Sequence, residues 1–61
     1  SKELRNKIEL LPPFKQKILE LKYNFDFSYQ EIAEIMNLEL GTVKSQLFRA
    51  KEDLKNIISD N

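Results

Sequence analysis

Apolar residues recur along this chain at spacings of three and four positions, the period of one face of an α-helix. The longest apolar stripe lies in the last third of the chain and consists of Leu38, Val43, Leu47, Ala50 and Leu54. No stretch alternates between apolar and polar residues for long enough to predict a strand. The pattern predicts helices over about residues 2–10 and 13–23, then a two-turn helix after Ser28 and a long helix over about 40–58.

Residues that start and stop helices separate these segments. Ser28 and Glu31 lie three positions apart ahead of an apolar-periodic run, which is the signature of a capping box. Pro12 and Pro13 are predicted to end the first helix and open the second. Proline restricts the residue before it and is well tolerated at the first helical position.

The predicted bends contain Asn24, Asp26 and Asn37, which after glycine best tolerate the left-handed conformation at a helix end. Phe25 and Phe27 flank Asp26 and are expected to hold the first bend against the core. The inward face of the second helix is expected to consist of Phe14, Ile18, Leu19 and Leu21.

The last two predicted helices have the layout of a helix-turn-helix, a short helix followed by a tight bend and a longer helix with a polar outer face. In that layout the longer helix enters the major groove of duplex DNA. From residue 40 to residue 51 its charged residues are Lys44, Arg49 and Lys51, all of them basic. Thr42 and Ser45 can exchange hydrogen bonds with base edges, and Lys44 can reach guanine or a phosphate.

Each of these side chains also has an ordinary structural interpretation. Lys44 and Arg49 can be solvated surface charges, and Thr42 can be the cap at the start of the helix. Gly41 can reflect crowding in the first turn, where it costs about 1 kcal/mol in helix propensity. Phe48 can complete the edge of the core.

The composition limits the classes of function. Sixty-one residues make one small domain. Without cysteine or histidine, neither disulfides nor ordinary zinc sites are predicted, and no apolar run is long enough to span a membrane. We therefore expect a cytoplasmic protein. Ten basic and ten acidic residues give a net charge of zero. A domain that is neutral as a whole and positive only on one face is expected to bind DNA weakly unless it is part of a larger assembly.

Four segments of the chain resemble region four of bacterial sigma factors, most closely the extracytoplasmic-function group of the sigma-70 family. They are LPP at 11–13, Lys22 with Tyr23, SYQEIAEIM from residue 28, and LGTVKSQLFRAKEDL from residue 40. The resemblance implies an all-α fold, a small four-helix domain with a helix-turn-helix and no β wing. It also implies that residues 1–61 form one such domain, excised from a longer chain.

What the resemblance implies for function is a non-enzymatic domain that reads the −35 element of double-stranded promoter DNA. No metal, cofactor, membrane or small-molecule substrate is expected. The base-reading positions map onto Leu40, Gly41, Lys44, Ser45 and Phe48. The phosphate-binding positions map onto Tyr29, Gln30, Thr42 and Arg49. To these we add Ser28, at a helix start with free N–H groups, and Lys51, which follows the base-reading positions.

The resemblance further implies docking on the flap of the RNA polymerase core β subunit, with anti-sigma factors covering overlapping surfaces. The apolar residues expected to supply this surface are Leu4, Ile8, Leu11, Ile18, Ile57 and Ile58. Two other functions stay open: a sigma-like decoy that binds an anti-sigma factor, and a generic helix-turn-helix regulator, which would normally dimerise. An enzyme is not predicted, because no catalytic constellation is present in the sequence.

Three positions depart from the family pattern. Gln46 stands where arginine is common, Asp26 where glycine is common, and Glu39 where proline or serine is usual. Loss of one phosphate-binding cation reduces the slope of log affinity against log salt concentration by about 0.9. These departures weaken the expectation that the domain binds DNA on its own.

Overall fold

The computed structural model describes residues 6–59, and within that range the chain is helical with short connections and no strand. Residues 6–8 are helical. They are followed by helix α1 (Pro13–Leu19), a π-helical turn (Glu20–Asn24), helix α2 (Tyr29–Met36) and helix α3 (Leu40–Ser59). The predicted all-α architecture with four helical segments is confirmed. No helix in the described part of the chain is long and apolar enough to cross a membrane.

The start of α1 follows from its two prolines. The carbonyl of Pro12 accepts hydrogen bonds from the amides of Lys15 and Gln16, at 3.0 and 3.1 Å, so Pro12 caps the helix and Pro13 occupies its first position. The side chain of Gln16 also donates to the carbonyl of Leu11 at 2.7 Å. This bond links the preceding segment to α1, and Leu11 is a core residue with 4% of its surface exposed.

The end of the second predicted helix is a π-helical turn. The amide of Phe25 donates to the carbonyl of Glu20, five residues earlier, at 3.2 Å. This wider turn carries the helix through Asn24, so the prediction of a left-handed Asn24 is wrong. Asp26, with φ 57°, takes the left-handed conformation in this bend. The position where the resembling family commonly has glycine therefore has the backbone conformation that favours glycine.

The helix-turn-helix bend is a Schellman motif at the end of α2. Asn37 has φ 55° and ψ 51°, as its residue type predicted. The amide of Leu38 donates to the carbonyl of Ala33 at 2.8 Å, and the amide of Asn37 donates to that of Glu34 at 3.4 Å. These two bonds satisfy the last carbonyls of α2 and turn the chain sharply into α3.

The predicted capping box at the start of α2 is confirmed. The Ser28 hydroxyl accepts from the amide of Glu31 at 3.1 Å, and the Glu31 carboxylate accepts from the amide of Ser28 at 2.8 Å. Both ends of α2, the first helix of the helix-turn-helix, are therefore fixed by local hydrogen bonds, which define where this helix begins and ends.

The core receives one fully buried aliphatic side chain from each helix: Ile18 from α1, Ile32 from α2 and Val43 from α3. Around them lie Leu11, Leu19, Leu21, Ala33, Leu47 and Ala50. The predicted apolar stripe of α3 is confirmed, with its two end residues, Leu38 and Leu54, packed at the edge of this core. Both α1 and α2 pack against α3, so the long helix is held along much of its length.

Two aromatic side chains predicted to be buried are exposed instead. Phe14 lies in the first turn of α1, one turn before Ile18, and 40% of its surface is exposed because it projects past the edge of the core. Phe25 is 59% exposed. It stacks on Phe27 with ring centroids 5.9 Å apart, and only Phe27 packs against the core.

Candidate nucleic-acid interface

The outward face of α3 carries a narrow ridge of small and apolar residues. Gly41, Ser45 and Phe48 recur at spacings of four and three, so they share one side of the helix. We call these three residues the recognition ridge. All three are exposed, and the helical period places them opposite the buried residues Val43, Leu47 and Ala50.

Two flanks run along either side of the recognition ridge. Lys44 and Lys51 are two turns apart and form the lysine flank, while Thr42 and Arg49 are two turns apart on the other side and form the arginine flank. Both flanks therefore carry positive charge, with uncharged residues between them. A helix lying in the major groove has a phosphate backbone on each side, and this arrangement matches that requirement.

The five predicted base-reading residues lie together in the first turns of α3. Every one is exposed, including Leu40 at 38% and Phe48 at 63%. From Leu40 to Phe48 the helix advances about 12 Å, comparable to the width of the major groove. Their role in reading bases stays a prediction, but none is removed from the surface by the fold.

Among residues 6–59, none of the cations on the two flanks forms an ion pair. Within residues 6–59 the ion pairs are those of Lys15 with Asp53 and of Lys17 with Glu20. Neither pair includes Lys44, Arg49 or Lys51. The charges of these three residues are thus available to an external anion.

Arg49 has a potential ion-pair partner on its own helix. Asp53 follows Arg49 by four positions on α3, a spacing at which opposite charges attract each other on a helix. The carboxylate of Asp53 instead pairs with the Lys15 ammonium of α1. No ion pair between Asp53 and Arg49 is present among residues 6–59.

The structure at the start of α3 tests the structural interpretations of Gly41, as a result of crowding, and of Thr42, as the helix cap. A Cβ placed on Gly41 would meet nothing within 4 Å, so crowding within the chain does not explain this glycine. Thr42 is the third residue of α3, and the carbonyl of Glu39 accepts the first helical bond, from Val43, at 3.1 Å. Thr42 is therefore not the helix cap.

The predicted phosphate contacts at the start of α2 are exposed but not equally available. Ser28, Tyr29 and Gln30 all lie at the surface. The capping box engages the amides of Ser28 and Glu31, so the other amides of the first turn belong to Tyr29 and Gln30. Ser28 can offer a phosphate its hydroxyl but not its amide.

A cation that the sequence indicated only as part of the Lys22–Tyr23 motif, with no site role, lies beside this helix start. The ammonium of Lys22 lies 4.7 Å from the centre of the Tyr29 ring and 3.2 Å from the carbonyl oxygen of Phe27. Lys22 belongs to the π-helical turn, and helical periodicity alone does not predict where that turn directs its side chains. It adds positive charge next to the predicted phosphate-binding residue Tyr29.

An open apolar groove of about 920 Å³ lies away from the recognition ridge, between α1, the π-helical turn and the C-terminal half of α3. Its apolar lining consists of Ile8, Pro13, Leu19, Tyr23 and Leu54. Lys51 also lines it, so the last residue of the lysine flank borders this groove. Tyr23, 58% exposed, also lines this groove, although the sequence indicated no role for it beyond the Lys22–Tyr23 motif.

The residues predicted for a partner surface do not all reach the surface. Leu11 and Ile18 are 4% and 0% exposed, so these two predictions are corrected: both are core residues that cannot contact a partner in this conformation. Leu4 lies outside the described residues. Ile57 packs partly against the core, and Ile58 is 41% exposed.

Comparisons with known proteins find similarity to a single family. A family model described as "Sigma-70, region 4" matches residues 1–54. The RNA polymerase sigma factor HrpL of Pseudomonas syringae pv. syringae is 43% identical over 51 residues, which cover 84% of this chain and 28% of that protein. The ECF RNA polymerase sigma factor SigW of Bacillus subtilis is 37% identical over 60 residues, covering 98% of this chain and 32% of that protein.

A third relative, the ECF RNA polymerase sigma-E factor of Escherichia coli, is 42% identical over 60 residues and covers 92% of this chain and 31% of that protein. The chain thus spans about a third of the length of these relatives. No solved structure matches it at a significant level.

Proposed function

Since this chain belongs to the sigma-70 region 4 family, we propose that it recognises the −35 element of promoters and directs RNA polymerase to initiate transcription there. Its role is binding and not catalysis. The observation that carries the proposal is the outward face of α3, where unpaired cations flank the exposed recognition ridge on both sides.

The geometry supports two separate roles for the residues of α3, phosphate binding and base contact. Arg49 and Thr42 on one flank, and Lys51 on the other, hold phosphates and set the register, while the recognition ridge, Leu40 and Lys44 meet base edges. Glu39 precedes this segment and Glu52 follows it. Because both carboxylates repel phosphates, the contact that α3 itself makes with DNA is confined to residues 40–51.

A contact of this length gives low affinity, which suits a tethered domain. Binding to polymerase holds the domain near the promoter at high effective concentration, so weak contacts still discriminate between sites. This accounts for a promoter-reading domain whose net charge is zero.

Selection from randomised DNA tests the proposed function. The chain is incubated with a pool of randomised duplexes at low salt, and bound DNA is amplified and sequenced. We expect enrichment of one short sequence without two-fold symmetry, and binding that weakens as salt rises. An inverted repeat would indicate the dimeric regulator, and no enrichment together with capture of an anti-sigma factor would indicate the decoy.

Gly41→Ala is expected to raise stability and lower DNA affinity at once. Alanine has open space at this site and is favoured over glycine inside a helix by roughly 0.5–1 kcal/mol. The added methyl would hold the helix away from the base edges. Urea unfolding and duplex binding of the same variant measure the two effects, and unchanged affinity in a stabilised variant would contradict a close approach of DNA at Gly41.

The apolar groove beside α1 is the surface we assign to polymerase, through the flap of its β subunit. Tyr23→Asp places a charge among the apolar lining residues and is expected to weaken capture of core RNA polymerase at least tenfold. Phe25→Asp is the matched control, because Phe25 is 59% exposed against 58% for Tyr23 and does not line the groove. Equal losses for both variants in a bead-capture assay would argue against the groove.

A further inference from the structure

Arg49 differs from the other two flank cations of α3 because acids of the same helix lie near it. Glu52 and Asp53 follow Arg49 by three and four positions, the spacings at which side chains meet on a helix. Neither Lys44 nor Lys51 has an acid three or four positions away in either direction. Arg49 is therefore the flank cation for which a carboxylate of the chain can compete with a DNA phosphate.

One of these two acids, Asp53, is paired with a different helix. Lys15, the third residue of α1, donates from its Nζ to the Asp53 carboxylate across 38 positions of the chain. The two side chains are 25% and 41% exposed, so the pair is partly covered where α1 packs against α3. Salt screens a partly covered pair less than a pair of fully exposed side chains. The fold thus gives Asp53 a partner other than Arg49.

The Asp53 carboxylate lies close enough to Arg49 to affect a bound phosphate. Four residues of helix advance about 6 Å, less than the roughly 8 Å over which physiological salt screens a charge. A carboxylate without a partner at this position would attract the Arg49 guanidinium and repel a phosphate bound there. The Lys15 ammonium offsets the charge of the carboxylate and so reduces both effects.

We propose that Lys15 is a positioning residue for DNA binding, which pairs with Asp53 and so leaves Arg49 to bind a phosphate. This inference rests on the proposed function. It gives α1 a part in DNA binding that requires no contact between α1 and DNA. Because Lys15 acts only through the Asp53 carboxylate, the effect of removing Lys15 depends on whether that carboxylate is present.

Lys15→Met removes the ammonium group and tests this proposal. The wild-type chain first selects a duplex from a randomised pool, and affinities for that duplex are measured by fluorescence anisotropy at several salt concentrations. We expect Lys15→Met to weaken binding about twofold at low salt, the effect of one ion pair between neighbouring turns of a helix. The slope of log affinity against log salt concentration should become shallower by less than about 0.9, because the phosphate contact of Arg49 is only partly lost.

The same substitution in an Asp53→Asn background is the matched control. Asp53→Asn alone should bind DNA at least as tightly as the wild type, because the competing carboxylate is gone. Adding Lys15→Met should then change neither the affinity nor the salt slope. Lys15→Met changes the net charge equally in both backgrounds, so the comparison isolates the pair. Lys15→Arg, which keeps the cation, should bind DNA as the wild type does.

The other outcomes contradict the inference in distinct ways. An equal loss in both backgrounds would show that Lys15 acts through net charge or through its own phosphate contact. A loss with an unchanged salt slope, or weaker binding by Asp53→Asn, would show that the pair acts on the placement of α3. Unchanged affinity of Lys15→Met would show that Asp53 does not compete for Arg49. Each of these results would overturn the positioning role and leave promoter recognition standing, whereas failure of the wild-type chain to enrich any duplex would overturn both.

Discussion

Ile32→Ala is expected to lower the free energy of unfolding by roughly 3 kcal/mol, the usual cost of removing a buried isoleucine down to its β-carbon. Ile32 is fully buried where α2 meets α3. A domain of 61 residues has a total stability of roughly 3–9 kcal/mol, so one substitution removes a large part of it. We expect the melting temperature to fall by more than about 10 °C in a thermal circular-dichroism scan.

Two variants on the same helix provide the controls. Ile32→Val keeps most of the packed volume and should cost about 1 kcal/mol. Ile35→Ala removes the same atoms from a side chain that is 50% exposed and should cost less than about 1 kcal/mol. Similar losses for Ile32→Ala and Ile35→Ala would contradict the packing of α2 against α3 described above.

The helices and their ends could be predicted from the sequence because their causes are local. The capping box of Ser28 and Glu31, the prolines before α1 and the left-handed Asn37 each act over a few residues. The buried stripe of α3 was predictable because a helix of 20 residues gives the apolar period enough repeats to define one face.

The predictions that failed depend on contacts between elements. Periodicity identifies the apolar face of α1, but it does not say how far the core extends along that face. Phe14 therefore lies past its edge, while Ile18 is too deep to contact a partner. Leu11 is buried in a bend, where helical periodicity defines no face, and the π-helical turn has no periodic signature.

The residues of the candidate interface could be predicted from the sequence. Which of its cations form ion pairs within the chain could not. The resemblance to sigma region four supplied Lys44 and Arg49 as contacts. Only the structure shows that neither forms an ion pair within residues 6–59, since Asp53 could have paired with Arg49 along the helix and instead pairs with Lys15 of α1. Whether a cation on α3 is free to bind DNA depends on how α1 packs against α3. Residue spacing along α3 alone does not predict this packing.

Reversing the charge on either flank of α3 is expected to have the largest effect on DNA binding. Arg49→Glu and Lys44→Glu each remove an unpaired cation and place an anion beside the DNA. We expect each to weaken binding by about 2 kcal/mol, or roughly thirtyfold, at low salt. Lys17→Glu is the control, because it changes the net charge equally on α1, where Lys17 lines the apolar groove.

The alanine variants of the same two residues separate their roles. Arg49→Ala should weaken binding to all duplexes alike and reduce the slope of log affinity against log salt by about 0.9, since one phosphate contact is lost. Lys44→Ala should instead lose preference at one base pair of the selected sequence. A uniform loss for both variants would make Lys44 a second phosphate contact, and base recognition would then lie with the uncharged residues of the ridge and Leu40. If Arg49→Glu and Lys44→Glu weakened binding no more than Lys17→Glu does, only net charge would matter, and the case for α3 as the reading helix would be removed.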